Sequence, residues 1–163
     1  MKQFFIQFAI LTTIILGALY IAFNQSVIEP FLPINKTFTQ TQIKINNTTV
    51  KIEVADTASK RSQGLSGRES MASDSGMLFI FESSKKYQFW MKGMKFPLDM
   101  IFIKDGKVVD VLKNVPPPSQ GQKDDTLPIY QPVSEIDMML ETSSSFTDTN
   151  NIKVGDTVFL ISQ

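Results

Sequence analysis

The chain has 163 residues, and its 16 Lys and Arg residues balance its 16 Asp and Glu residues. This length suits one domain with one modest core, and a formal charge of zero gives no support to a phosphate-binding surface. The absence of Cys and His excludes disulfides, thiolate nucleophiles, His-centred triads and nearly every tetrahedral zinc site. We therefore expect no nucleic-acid partner, no metal and no cofactor.

An uncharged apolar segment covers residues 4–23 and reads FFIQFAILTTIILGALYIAF. As a helix, its 20 residues would span about 30 Å, which is the thickness of the hydrocarbon core of a bilayer. A cleaved signal peptide is the alternative, but bulky residues at the end of the segment leave no small pair for a cleavage site. We predict that residues 1–25 form an uncleaved signal-anchor and that the lipid bilayer contacts residues 4–23.

Few charges bear on the orientation of this anchor. Lys2 is the only charged residue before the apolar segment, and Glu29 is the first one after it. Because cations are enriched on the cytoplasmic side, we predict a single-pass protein of the cell membrane with its N-terminus inside and its domain outside. Residues 26–40 contain two prolines and no hydrophobic period, which is typical of an extended linker, and we assign residues 41–163 to the folded domain.

The first predicted elements of the domain are a hairpin, a short helix and a buried strand. Apolar and polar residues alternate over residues 43–54 around an Asn-Asn turn, which predicts two strands with one buried face. A short helix over residues 58–63 can be capped by Asp56 or Thr57. The continuous apolar run 77–81 predicts a strand covered on both faces.

The second half of the domain is also rich in strand signals. Asp105-Gly106 is typical of a tight hairpin turn. The stretch 116–130 begins with three prolines and is predicted to be a long surface loop, with a partner-binding role as the alternative. The remaining predicted elements are strands over 87–91, 98–103, 108–112, 133–141 and 157–161, and a short helix over 143–150.

These elements predict an α+β fold that is mainly β: a compact antiparallel, barrel-like sheet with one or two short helices, preceded by a transmembrane helix. The segments 53–57, 63–68, 76–79, 89–92, 97–103, 140–141 and 152–156 form an ordered set of motifs. In order and spacing, they resemble the domain of unknown function 192 (DUF192) family of bacteria and archaea. The resemblance covers nearly all of residues 43–162 and implies a compact, barrel-like, β-rich domain without an agreed biochemical activity, often carried behind a signal or membrane anchor.

The candidate binding residues are Arg68, Trp90, Lys92 and Asp99. Strand alternation over residues 87–92 places Trp90 and Lys92 on one face. With Arg68 from the preceding loop and Asp99 from the next strand, they could line a cleft for a small polar or anionic ligand. The structural alternative is that Trp90 fills the barrel while Arg68 pairs with Asp99 to hold the loops together.

An enzyme would need a general acid and a general base. No nucleophile elbow, phosphate loop or metal-ligand spacing occurs in the sequence. The catalytic candidates are Asp99 and Glu141, because two carboxylates at a suitable separation can hydrolyse a glycoside.

We therefore expect a non-enzymatic small-ligand-binding or accessory module at the cell envelope, with a small polar ligand or an envelope protein as its partner. The alternatives are a small envelope hydrolase that uses paired carboxylates and a structural protein that interacts with a membrane partner.

Overall fold

A computed structural model describes residues 41–161, so the predicted anchor (1–25) and linker (26–40) lie outside the described residues. Between residues 41 and 161, no helix is long and apolar enough to cross a bilayer. The elements in this range are β1 (Thr41–Ile45), β2 (Thr48–Ala55), α1 (Ala58–Gln63), β3 (Ser75–Lys85), β4 (Leu98–Lys104), β5 (Lys107–Val115), a 3₁₀ turn (Asp124–Thr126), β6 (Ile136–Ser143), α2 (Phe146–Thr149) and β7 (Val158–Ile161).

The strands form one seven-stranded sheet in the order β5-β4-β6-β3-β2-β1-β7. The predicted mainly-β fold with short helices is confirmed. One pair corrects the predicted antiparallel arrangement, because β2 and β3 run parallel. Residues 56–74, which include α1, connect these two strands, and a crossover of this length is what a parallel pair requires.

The sheet curls until its two edge strands meet at one end, which gives a half-barrel. Lys107 at the start of β5 bridges to Thr157 beside β7, and the Val158 N–H donates to the Gly106 carbonyl over 2.8 Å. The predicted hairpin turn is confirmed at this closure, where Asp105 and Gly106 have φ values of 49° and 70°. Pairing of the two edges covers backbone groups that would otherwise remain open.

Apolar side chains pack on both faces of the sheet. The predicted buried strand 77–81 lies in β3, at the middle of the strand order. The isoleucine cluster on one face contains Ile43, Ile45, Val50, Ile52, Leu78, Ile101, Ile103, Val108, Leu140, Phe146, Ile152 and Val158. The methionine cluster on the other face contains Ala55, Leu65, Met77, Phe79, Met91, Met94, Leu98, Met100, Phe102, Val115, Ile136 and Met139.

Residues 87–91 do not form the predicted strand. Their only bridge in the described part of the chain joins Phe89 to Tyr130, through backbone hydrogen bonds of 2.8 and 2.9 Å. The segment does not extend this bridge into a longer ladder with β4, the next strand along the chain. Both sides of β4 are already paired, one with β5 and the other with β6. The predicted alternation of sides is nevertheless present, since Met91 is buried and Trp90 is exposed.

Asp99 is fully buried in β4 and connects three segments of the chain. Its carboxylate accepts hydrogen bonds from the backbone N–H groups of Asn114 (2.8 Å), Ser145 (3.3 Å) and Thr147 (2.9 Å), and from the Thr147 hydroxyl (2.6 Å). Ser145 has a left-handed φ of 67° and precedes α2, so the carboxylate satisfies N–H groups at the start of that helix. These four donors compensate for the burial of the charge.

Replacing Asp99 with Ala should lower the free energy of unfolding by about 2–4 kcal/mol, because the buried N–H and hydroxyl of Thr147 and two part-buried N–H groups would lose their acceptor. Urea unfolding of the full chain measures this change. Asp148→Ala is the matched control, since Asp148 pairs with Lys113 at the surface and its loss should cost less than about 1 kcal/mol. An equally small loss in Asp99→Ala would contradict this structural role.

Candidate functional site

A cavity of about 320 Å³ lies against the methionine cluster. Its lining comes from the end of α1 and the following loop, the second half of β3, and the segment 87–94, with one residue from β6. Polar and aromatic side chains share this lining, and its five aromatic side chains form the aromatic wall: Phe79, Phe81, Tyr87, Phe89 and Trp90.

The aromatic wall is ordered by ring contacts. Phe79 and Phe81 point to the same face of β3 because side chains alternate along a strand. The chain then reverses, and the Tyr87 ring stacks on Phe81 with centroids 3.8 Å apart and an angle of 16° between the planes. The Tyr87 hydroxyl donates to the Ser83 carbonyl over 2.7 Å, while Phe89 meets Phe81 edge-on at 6.1 Å. These contacts hold the segment 87–90 in place without a strand ladder.

The opposite side of the cavity depends on a glycine at the end of α1. Gly64 has a φ of 50° and donates its N–H to the Lys60 carbonyl over 2.9 Å, which ends the helix. A Cβ at this position would stand 3.4 Å from the Phe79 ring. Such a Cβ would be in ordinary van der Waals contact, so it is the positive φ that favours glycine here. The next residue, Leu65, is buried.

Glu141 lies at the inner end of the cavity. It stands in β6 between Met77 of β3 and Met100 of β4, and only 7% of its surface is exposed. Within residues 41–161, no hydrogen bond or ion pair reaches its carboxyl group, which lines the cavity. Burial raises the pKa of Glu141 to about 8, so the group is largely protonated at neutral pH.

Three cations line the cavity, and two of them, Lys92 and Arg61, are engaged by other groups; the third is Lys85. The Lys92 ammonium pairs with Asp124 at 2.8 Å and lies 5.8 Å from the centroid of the Trp90 ring. The Arg61 guanidinium donates to two backbone carbonyls and lies 5.8 Å from the Phe81 centroid. Among the described residues, no group of three or more acidic side chains converges to hold a metal ion.

The structure brings together only part of the predicted binding set. Trp90 and Lys92 lie at the cavity, as neighbours. Arg68 lines a separate depression, where its guanidinium binds both carboxylate oxygens of Glu53 at 2.5 and 2.7 Å and lowers the pKa of that carboxyl. The predicted pair between Arg68 and Asp99 is therefore wrong, because each has a closer set of partners.

The two catalytic candidates of the sequence, Asp99 and Glu141, do not face each other. In the ladder between β4 and β6, Glu141 stands opposite Met100, whereas Asp99 stands opposite Thr142. Paired residues share a face and neighbouring residues alternate, so the two carboxyl groups point to opposite sides of the sheet. They do not form the carboxylate pair that the predicted hydrolase requires.

Sequence reasoning missed the aromatic wall as a unit and named Glu141 only as a catalytic candidate. A usable signal was present, because Glu141 directly follows the apolar run 138–140 and an acidic residue in a buried strand needs an explanation. Phe79 and Phe81 also share one face by alternation. The approach of Tyr87 and Phe89 to that face depends on the chain reversal after β3, and no local sequence pattern predicts this reversal.

Solved structures with this fold include two bacterial proteins. A proposed transcription regulator from Sinorhizobium meliloti 1021 is 28% identical, with a TM-score of 0.64 over 74% of this chain and 91% of that chain. A protein of unknown function from Novosphingobium aromaticivorans DSM 12444 is 23% identical, with a TM-score of 0.66 over 78% of this chain and 89% of that chain; at this identity the likeness shows the fold alone. No curated protein matches the chain.

The DUF192 family model, described as "Uncharacterized ACR", matches residues 40–160. Segments that carry the resemblance in the sequence meet at the cavity: residues 63–66, 79, 89, 90, 92 and 141 contribute to its lining. The match spans nearly all the described residues, and the chain therefore belongs to the DUF192 family.

Proposed function

We propose that this chain is a small-ligand-binding module of the cell envelope, whose ligand occupies the cavity between the aromatic wall and Glu141. One observation carries the proposal: the Glu141 carboxyl is buried and without a partner among the described residues, yet it lines a cavity. Burial disfavours the charged form of a carboxyl group. A ligand in the cavity would give the Glu141 carboxyl the hydrogen-bond partner that the described residues do not supply.

The lining of the cavity supports the same conclusion. Binding sites for small molecules are concave and mostly apolar, with a few polar groups that orient the ligand. Here the aromatic wall provides the apolar area, and Trp90 exposes 56% of its surface at the entrance. Ionisable groups whose pKa is shifted by burial also concentrate at functional sites, and Glu141 is such a group.

The proposed location rests on the amino-acid sequence of residues 4–23, which is uncharged and long enough to span a bilayer. We propose that this segment anchors the protein, with the domain outside the cell membrane. The zero net charge does not favour extending the regulator name of the Sinorhizobium protein to this chain, because a basic surface for nucleic acid is not indicated.

A hydrolase is the second candidate, and the raised pKa of Glu141 is the observation that favours it. A carboxyl group that keeps its proton at neutral pH can act as a general acid. Glu82 is the other carboxylate that lines the cavity, whereas Asp99 faces away. A bound compound that is consumed on incubation with the protein would favour the hydrolase over the binding module.

A thermal-shift screen of the full-length chain against sugars, peptidoglycan fragments and other envelope metabolites should identify a stabilising ligand. A ligand at 100 times its Kd adds about 2.7 kcal/mol. Trp90→Ala should weaken this effect, whereas Phe159→Ala should preserve it, because Phe159 is equally exposed at 58% and does not line the cavity. An unchanged shift in Trp90→Ala, or no shift with any compound, would count against the proposal.

The free protein should lose stability as the pH rises from about 5 to 8. The unfolded chain releases the Glu141 proton near its ordinary pKa of 4.5, whereas the folded chain keeps this proton up to about 8. The free energy of unfolding should therefore fall by up to about 1.4 kcal/mol per pH unit. The chain has no His, which removes the side chain that ordinarily titrates in this range.

Urea unfolding at several pH values tests this slope. Glu141→Gln should flatten the profile, and Glu135→Gln, which changes an exposed carboxylate just before β6, should leave it as it is. A wild-type profile that is flat between pH 5 and 8 would contradict the raised pKa. The other charged or titratable side chains that line the cavity are Arg61, Glu82, Lys85, Tyr87 and Lys92.

The proposed topology predicts that a protease added to intact cells digests the domain, as it digests an exported control protein. Digestion only after the cells are permeabilised would contradict the proposed orientation. Recovery of the full-length chain in the fraction free of membranes would contradict the proposed anchor at residues 4–23.

A further inference from the structure

We propose that the ligand is a small organic cation, an ammonium group on an apolar or aromatic body, and that its ammonium binds the Glu141 carboxylate inside the cavity. This inference rests on the proposed ligand-binding function and names the class of ligand. Its basis is geometric: Glu141, which is buried, lines a cavity to which five aromatic side chains also contribute.

The surroundings of Glu141 contain no polar partner. Its neighbours across the ladders are Met77 and Met100, and Phe79 and Met94 are among the residues that line the cavity with it. In the part of the chain that the structure describes, no donor and no cation reaches the carboxyl group. A ligand can therefore supply the missing hydrogen-bond donors and the opposite charge. An ammonium group is suitable because it offers three donors and a positive charge.

The aromatic wall favours a cation in the same space. The face of an aromatic ring carries negative charge density and attracts ammonium and guanidinium groups. Two cations of the chain already occupy such positions, since Lys92 lies 5.8 Å from the Trp90 centroid and Arg61 lies 5.8 Å from the Phe81 centroid. A ligand ammonium deeper in the cavity would combine ring contacts with the Glu141 carboxylate, and its apolar body would lie along the remaining rings.

An anionic ligand fits the site less well. Three cations line the cavity. Lys92 and Arg61 are engaged with Asp124 and with backbone carbonyls, and Lys85 stands at the end of β3. An anion bound there would leave Glu141 without a partner. A neutral ligand with a carbonyl or hydroxyl oxygen could accept a hydrogen bond from protonated Glu141, and this is the alternative that the experiment has to separate.

The ammonium ligand and the neutral ligand differ in what happens to the Glu141 proton on binding. An ammonium ligand binds the carboxylate, so the Glu141 proton passes to the buffer on binding and no covalent bond forms. Because the free group holds its proton up to about pH 8, affinity should rise about tenfold per pH unit below that value and level off above it. A neutral acceptor binds the protonated acid, so its affinity should stay constant below pH 8 and fall above it.

The experiment is isothermal titration of the full-length chain with phenethylamine, 2-phenylethanol and phenylacetate between pH 6 and 9. These probes share a phenyl ring and differ in carrying an ammonium, a hydroxyl or a carboxylate group. Phenethylamine should bind at least tenfold more tightly than the other two at pH 8. Its affinity should rise between pH 6 and 8, with release of about one proton that appears as a dependence of the heat on the buffer.

Glu141→Gln should reduce phenethylamine affinity at least tenfold, because an amide cannot neutralise the ammonium group. Glu135→Gln should leave the affinity unchanged, since Glu135 is exposed and is not among the residues that line the cavity. Urea unfolding verifies that both variants are folded, and the pH dependence of the wild-type protein tests the inference without any variant. Trp90→Ala locates each bound probe at the cavity.

Several results would overturn the assignment of a cation. Tighter binding of phenylacetate or 2-phenylethanol that is lost in Trp90→Ala would overturn it while leaving the proposed binding function in place. A phenethylamine affinity that decreases as the pH rises from 6 to 8, or that is unchanged in Glu141→Gln, would also overturn the assignment of a cation. Failure of all three probes also overturns it, and the broader metabolite screen then decides the proposed function separately.

Discussion

Burial of the central strands on both faces is the constraint on which the rest of the structure depends. Every residue from Leu98 to Ile103 in β4 is buried, and β6 beside it is buried over residues 139–142. An acidic side chain in such a strand must find donors within the fold or remain open to a cavity. Asp99 finds its donors within the fold and accepts four hydrogen bonds. Glu141 remains open to the cavity.

This difference separates a structural carboxylate from the one that we propose binds a ligand. The donors of Asp99 come from the end of β5 and from the start of α2, so its charge holds together the side of the sheet that carries the isoleucine cluster. Glu141 faces the methionine cluster, where the neighbouring side chains are thioethers and rings without strong donors. The cavity that the aromatic wall lines reaches Glu141 on this face.

The cavity depends on loop geometry as much as on the sheet. Gly64 ends α1 against Phe79, and the Gly67 N–H donates to the Gly93 carbonyl over 2.9 Å. A Cβ at Gly93, whose φ is 69°, would collide with the Ser66 hydroxyl. The loop after α1 and the loop after Trp90 are therefore held against each other, which keeps the two sides of the cavity at a set separation.

The sequence by itself determined the family, the mainly-β class, the first hairpin, the short helix 58–63, the buried strand in β3 and the Asp105-Gly106 turn. These features follow from local period, capping and turn chemistry, which neighbouring residues specify. Only the tertiary structure decided that β2 and β3 pair in parallel, that residues 87–91 lack a strand partner, and that Arg68 binds Glu53 and not Asp99. Strand pairing and ion pairing depend on which distant segments meet, and the burial of Glu141 beneath the aromatic wall is the same kind of long-range result.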